Sequence, residues 1–410
     1  MLLTTMEITM NKELILIKVN GPDKPGITYT LLDVISQGNH HVKDMGQSVT
    51  HGLLSLSILL EIDSQQNDYP VIKDLLFAAK KLGLSLDFET FDSDKQMHPT
   101  RARDNEVKFI LNIVSTSTIP VSFLKETAQT FSEHNVNIHR IDTIDPANFT
   151  AIEITTSVSS AVNWDNFKER LISISNKFQV DAAFIRDDVW RRNKRLIVFD
   201  MDSTLIQTEV IDEMAAEHGV GEQVKEITNK AMNGELNFDH SLVERVKLLE
   251  GLSEKKLNIV LDRLEFTPGA EKFIKTVQSL GYKVAVISGG FTFFAEKLKS
   301  RLGLDYAFAN ELDIRNGELT GEVKGTIVNA DQKATLVRLI TQQEGIKLEQ
   351  VVAIGDGAND LPMLSIAGLG IAYHAKDIVR QQAHNHMSHG PMTTILHFLG
   401  VSDQNFIDSI

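Results

Sequence analysis

LIVFDMDSTLIQTE, residues 196–209, sets four apolar residues, Leu196, Ile197, Val198 and Phe199, directly before two aspartates, Asp200 and Asp202. A short apolar run of this kind reads as a strand buried on both faces. Carboxylates placed at its end are costly to bury unless they are paired, hydrogen-bonded or bound to a metal. The carboxyl ends of strands are also where open parallel α/β sheets take their ligands. Ser203 and Thr204 follow, able to cap a turn and to donate to an oxyanion. The chain holds a contrast: FDSDK at 91–95 repeats the spacing with Asp92 and Asp94, but in a polar stretch with no strand expected before it, and predicts a solvated turn.

Working outward, strands are expected near 196–200, 283–288 and 351–355, alternating with helices, which implies a parallel sheet covered on both faces. Between the first strand and Thr267-Pro268-Gly269 lies a segment almost wholly helical in pattern, about 207–266, which predicts a cap over the sheet's carboxyl edge. Two more strand ends carry chemistry. AIGDGAND (353–360) places Asp356, Asn359 and Asp360 among Gly355 and Gly357, an oxygen-rich turn suited to a hard cation such as Mg²⁺. VISGGF (286–291) ends in Ser288-Gly289-Gly290, where a hydroxyl and backbone N–H groups at a helix start form an anion cradle. Lys333 in NADQKATLV can supply positive charge. Each alone has a plainer reading: a polar turn, a glycine turn, a solvated lysine. Together they suit phosphoryl transfer to an aspartate, with nucleophile, cation site and oxyanion donors around one phosphate.

The N-terminal half reads differently. Strand 13–19, a helix opened by Pro25 and closed by Gly38, strands 42–50 and 53–62, helix 70–82 and strand 84–89 give the order βαββαβ. A charged, proline-bearing linker at 91–106 follows. The order then returns as strand 106–114, helix 120–134, strands 136–144 and 149–156, helix 163–178 and strand 180–186, with Pro120 standing where Pro25 stood. We read an internal repeat of two ferredoxin-like modules. The domains are thus 11–92, 104–188 and 194–410.

Bulk properties narrow the function. The 410 residues carry a formal net charge of −14, which argues against nucleic acid or an anionic membrane as a partner. No apolar run approaches the ~18 residues of a membrane span, and the start, MLLTTMEITMNKEL, lacks a secretion-signal pattern, so a cytoplasmic location is expected. Without cysteine, disulfides and thiolate chemistry are excluded. The basic run Arg191–Arg195 is expected to be a solvated linker, and His384, His386 and His389 to be surface residues of a terminal helix.

The order DMDST (200–204), SGG (288–290), Lys333 and GDGAND (355–360) closely resembles the haloacid dehalogenase-like phosphatases, above all those acting on L-phosphoserine. The resemblance covers 195 to about 395. It implies that Asp200 attacks phosphorus to form an aspartyl-phosphate, while Asp202 protonates the leaving serine oxygen and later activates water. It implies Mg²⁺ held by Asp200, the Asp202 backbone carbonyl and Asp356, with Asn359 and Asp360 supporting. Ser288, Gly289 and Lys333 would grip the phosphate. Glu209 stands where such enzymes meet the substrate ammonium and Arg245 where they meet its carboxylate, a group the guanidinium fork fits. Met232 and Phe238 would form the apolar wall. Read without the family, Arg245 beside Glu244 is a solvated helix position.

The N-terminal modules resemble ACT domains, regulatory units that bind amino acids and pair with one another. GPDKPGIT (21–28), with Gly21, Asp23, Pro25, Gly26 and Ile27, looks like their ligand loop, and serine is the expected effector. STSTIPVS in the second module lacks glycine and is expected to serve pairing into a homodimer. The expected reaction is Mg²⁺-dependent hydrolysis of L-phosphoserine, the last step of serine biosynthesis. The alternatives are a phosphatase for another small phosphate, such as phosphohomoserine or phosphothreonine, and an amino-acid sensor with an inert catalytic domain. The presence of every expected carboxylate speaks against the sensor.

Overall fold

Alternation with a period of two builds the first module. In β1 (Lys12–Pro22), Ile15, Ile17 and Val19 point inward and pair across to Leu60, Ile58 and Leu56 of a later strand. The computed structural model describes residues 12–38, 40–63, 70–91, 107–145, 148–158, 162–232, 235–383 and 385–401. The chain divides into two units, 1–104 and 105–410.

In the first unit, β1 is followed by α1 (Ile27–Ser36), β2 (His41–Thr50), β3 (Leu53–Asp63), α2 (Pro70–Leu82) and β4 (Ser85–Phe91). The sheet order is β2-β3-β1-β4, antiparallel throughout. His51 and Gly52, at φ 50° and 76°, make the two-residue hairpin turn. β1 runs three residues beyond the expected 19 and takes in Gly21. A Cβ there would lie 2.6 Å from Leu84 Cδ2 and 3.2 Å from its Cα, so this glycine serves close packing. The helix begins at Ile27 and not at Pro25, because Gly26 at φ 93° breaks the helical path just before it. β4 reaches Phe91, so a strand does lead up to Asp92; Asp92 and Asp94 themselves lie outside the described residues.

The second unit opens with β5 (Val107–Val114), α3 (Val121–Glu133), β6 (Val136–Thr143), β7 (Ala151–Val158), α4 (Trp164–Phe178) and β8 (Asp181–Arg186). Their sheet order, β6-β7-β5-β8, is that of the first module again. Next come β9 (Leu196–Phe199), four helices α5 (Val210–His218), α6 (Gly221–Met232), α7 (Phe238–Lys247) and α8 (Glu254–Arg263), then α9 (Ala270–Ser279), β10 (Lys283–Phe291), α10 (Thr292–Leu302), β11 (Tyr306–Arg315), β12 (Glu318–Lys324), α11 (Ala330–Gln343) and β13 (Val351–Gly355). α12 (Leu361–Ile366), β14 (Leu369–Tyr373), α13 (Asp377–Gln382), β15 (Asn385–Met387) and α14 (Ile395–Phe398) complete it. The sheet order is β12-β11-β10-β9-β13-β14-β15, parallel except for the β11–β12 hairpin. Strand order reverses around β9, which makes its carboxyl end the switch point where such sheets bind ligands. The architecture is α/β: a Rossmann-like parallel-sheet domain with a helical cap, preceded by two ferredoxin-like modules.

Two expectations are corrected. The run 191–195 is only in part a solvated linker: Arg192 and Arg195 are exposed, but Arg191 and Lys194 are buried. Arg191 forks onto Glu153 at 2.9 and 3.2 Å and pairs with Asp187, while Lys194 donates to the Glu349 carbonyl at 2.6 Å. Arg191 is thus ion-paired, Lys194 is held by a neutral carbonyl with its pKa lowered to about 8 by burial, and the two contacts stitch the second module to the core. Nor does His386 lie on a surface helix; it is a buried residue of edge strand β15, where the sheet continues one strand further than the apolar pattern reveals. His389 follows that strand and is half-buried, and His384 lies outside the described residues. Among the described residues no helix is long and apolar enough to cross a membrane.

Candidate active site

β9 is buried at every position and delivers Asp200 at its end. The chain then turns sharply: Ser203 takes φ 55°, and the Ile206 amide closes the turn on the Met201 carbonyl at 3.0 Å. This tight turn brings Asp202 back beside Asp200 with a different set of partners. Asp200, Asp202, Lys333 and Asp360 are 5%, 7%, 0% and 0% exposed, so every charge here must find a partner in the protein or a ligand.

Lys333 provides the first. Rooted one turn into α11, its Nζ lies 2.7 Å from Asp200 Oδ1 and 2.7 Å from Asp360 Oδ1. Burial works against its charge, but the two carboxylates outweigh that and push the ammonium pKa up. Asp200 is nonetheless held well above the usual carboxylate range, by burial first and then by Asp360. Carboxylate oxygens of Asp200, Asp356 and Asp360 all lie within 4.8 Å of one another. Asp356, at the end of β13, accepts from Thr204 Oγ1 at 2.9 Å, and burial with Asp360 pushes it up to about 6. Three crowded carboxylates against one lysine make an all-oxygen site that fits a divalent cation. Asn359 belongs to the same turn, its amide oxygen folded over Gly357.

The Asp202 side chain takes its hydrogen bonds from other groups. Its Oδ1 accepts from the Val210 amide at 2.8 Å and its Oδ2 from Ser288 Oγ at 3.1 Å. Burial, with Glu209 adding, raises it to about 7, a value from which a carboxyl can give or take a proton near neutrality. Ser288 in turn accepts from the Gly290 amide at 2.7 Å, which shapes the cradle at the end of β10.

The cap closes the other side. Glu209 is exposed at the start of α5 and accepts from Ser203 Oγ at 2.8 Å. Arg245 on α7 is partly buried, its Nε bonded to the Ser241 carbonyl at 3.2 Å. Burial lowers its pKa against the attraction of Asp212, Glu209 and Asp202, so the fold does not make of it the solvated helix position that the local sequence alone suggests. Phe238 opens α7 and lies on Gly289, where a Cβ would come within 2.9 Å of its ring. Met232 ends α6, and its side chain lies outside the described residues. The cap's two connections run side by side: Ile206 pairs with Phe266, and Gln207 donates to the Glu265 carbonyl at 3.0 Å. Thr267 Oγ1 donates to the Thr204 carbonyl at 2.6 Å, which ties this hinge to the Asp202 turn.

Sequence reasoning passed over Asn310. Buried in β11, it donates to the Gly289 carbonyl at 2.7 Å and accepts from the Val328 amide at 2.8 Å, fixing the cradle glycine. The available signal was an amide ending the apolar run Tyr306–Ala309, at a position where strands disfavour asparagine. The loop residues Asp23, Pro25 and Gly26 stand between β1 and α1 and Ile27 opens α1, with the Asp23 amide bonded to the Gly52 carbonyl at 2.8 Å.

Residues 194–368 match the model of the haloacid dehalogenase-like hydrolases, and 13–89 that of the ACT domain. The Streptomyces coelicolor phosphoserine phosphatase is 37% identical over 388 residues, covering 95% of this chain and 92% of that one. The Archaeoglobus fulgidus phosphoserine phosphatase is 48% identical over 221 residues, 54% of this chain and 64% of its own length. The crystal structure of a probable phosphoserine phosphatase from Vibrio cholerae aligns with a TM-score of 0.56 at 35% identity, covering 72% of this chain and 86% of that one.

Proposed function

This chain belongs to the haloacid dehalogenase-like hydrolases, among the phosphoserine phosphatases, and from that membership we propose that it converts L-phosphoserine to L-serine and phosphate by way of an aspartyl-phosphate on Asp200. The observation that carries the reading is the division of labour at the end of β9. Asp200 is held by Lys333 within the anion-binding elements, while Asp202, two residues on, is turned to Ser288 and Val210. In the first step a carboxylate oxygen of Asp200 bonds to phosphorus as the phosphorus–serine oxygen bond breaks, and Asp202 gives its proton to that oxygen. In the second, Asp202 takes a proton from water, whose oxygen displaces Asp200 and releases phosphate. Ser288, the Gly289 amide and Lys333 hold the phosphate oxygens. Glu209 and Arg245 receive the ammonium and carboxylate of the amino acid, with Phe238 and Met232 against its short side chain.

Mg²⁺ would be held by Asp200, the Asp202 backbone carbonyl and Asp356, with Asn359 and Asp360 supporting, and it would neutralise charge on the transferring phosphoryl group. In the first module, Gly21, Asp23, Pro25, Gly26 and Ile27 would take a regulatory amino acid, serine first. The match of 13–89 to ACT domains supports this, although Gly21 lies within β1. The working form would be a cytoplasmic homodimer.

Phosphate release from L-phosphoserine, phosphothreonine, phosphoethanolamine and phenyl phosphate, with Mg²⁺ and with chelator, tests the reading. Metal-dependent preference for L-phosphoserine is expected, lost in Asp200→Asn. Equal rates across the panel would leave the aspartate chemistry and sink the substrate. Glu209→Gln should raise KM for L-phosphoserine and leave phenyl phosphate nearly unchanged.

A further inference from the structure

Asn329 stands at the N-terminus of α11 and uses both ends of its amide. Its Oδ1 accepts from the Gln332 amide at 3.1 Å and so caps the helix that carries Lys333. Its Nδ2 donates to both carboxylate oxygens of Asp239, at 3.2 and 3.3 Å. Asp239 lies in the first turn of α7, beside Phe238 and on the same helix as Arg245. One side chain therefore joins the core helix that holds phosphate to the cap helix that would hold the amino acid. The joint continues inward, since the Val328 amide next to Asn329 is fixed by Asn310, which also fixes Gly289 beneath the Phe238 ring.

We infer that the Asp239–Asn329 pair is the latch that sets the cap helix α7 in register over the phosphate-binding elements, which makes both of them positioning residues for recognition of the amino-acid part of the substrate. The inference rests on the proposed phosphoserine reading only for its choice of substrate. Geometry favours a latch over a permanent clamp. Both bonds are longer than the about 2.7–2.9 Å of tight charge-assisted pairs, and both residues are partly exposed, so the contact can open to let product leave. Among the described residues neither side chain bonds to the Asp200 cluster; the Asn329 carbonyl accepts only the first helical bond of α11, from the Lys333 backbone amide at 2.9 Å.

Asn329→Asp separates the two roles. Aspartate still caps α11, but it loses the donor and faces Asp239 with like charge. The expected result is a fall of about tenfold in kcat/KM for L-phosphoserine, carried by KM, with phenyl phosphate hydrolysis changed by less than about threefold. Amide hydrogen exchange across 238–247 should speed up in the ligand-free protein, with 121–133 unchanged. Adding Asp239→Asn to the same chain restores a donor–acceptor pair and should return both readouts towards the parent. Unaltered exchange in α7, an equal fall on both substrates, or a double variant no better than the single would overturn the latch. If the parent protein shows no preference for L-phosphoserine, the substrate reading fails, while the exchange and swap comparisons still decide the latch.

Discussion

Asp200 and Asp202 are two residues apart and live in different surroundings, and the difference follows from which neighbour each one meets. Asp200 shares a lysine with Asp360; Asp202 shares a serine and a backbone amide. Lys333→Met would leave two buried carboxylates facing each other without their cation. Removing one partner of a buried ion pair costs about 3–5 kcal/mol. Urea unfolding of the metal-free variant should therefore show a loss of that order, together with loss of phosphatase activity. An unfolding midpoint equal to the parent's would mean that the carboxylates find another partner. The sequence could name Lys333 only through its company, because a single lysine in a helix is normally solvated. Its complete burial depends on β9 and β13 being adjacent, although 155 residues of chain separate their starts at Leu196 and Val351.

At the scale of elements, the three strand ends that carry chemistry were legible because each couples a short apolar run to polar residues that have no reason to follow it. β11, β12, β14 and β15 were not singled out. β11, β12 and β15 have mixed patterns, and β12 and β15 are edge strands, which need less apolar sequence than central ones. β14 is apolar and buried throughout but was passed over. Asn310 belongs to that less legible part, and it fixes two loops through one amide. Asn310→Ala should cost about 1–3 kcal/mol by leaving the Gly289 carbonyl and the Val328 amide without it. Because the proposed phosphate cradle would serve every substrate alike, kcat/KM should fall equally for L-phosphoserine and phenyl phosphate. A fall confined to L-phosphoserine would show that Asn310 acts through the cap. The repeat of βαββαβ was legible as well, although Pro120 caps its helix directly while Pro25 stands one residue before the cap Gly26. The shift of Gly21 into β1 was not, since it depends on Leu84 lying alongside.

For the whole molecule, the two N-terminal modules share a strand order but not a setting. The second is built into the unit that carries the active site: Val114, Ala151, Ala183 and Ile185 share one apolar cluster with the core, and Asp181 accepts from the Ser388 and His389 amides at 2.7 and 3.0 Å. Such contacts join residues about 200 apart, beyond the reach of local pattern. They also bury His386, whose pKa is lowered to about 4 by burial, with Arg380 and His389 adding. Unfolded, it takes a proton near 6.5. Between those values the unfolded chain binds more protons, so this contribution to stability is complete above about pH 6.5 and is lost as pH falls towards 4. Asp181, raised by burial, pulls the other way, because the folded form takes up its proton first as pH falls. His386→Gln removes the first contribution and leaves the second, so its urea midpoint should fall less steeply than the parent's between pH 7 and 5; parallel curves would refute the assignment. The hinge carries a different lesson. Since the chain leaves for the cap at Gln207 and returns beside it at Glu265, the cap is an insertion with neighbouring ends. A foreign cap of similar end spacing could be grafted there without disturbing the sheet, so the set of molecules accepted and the chemistry done to them can diversify independently.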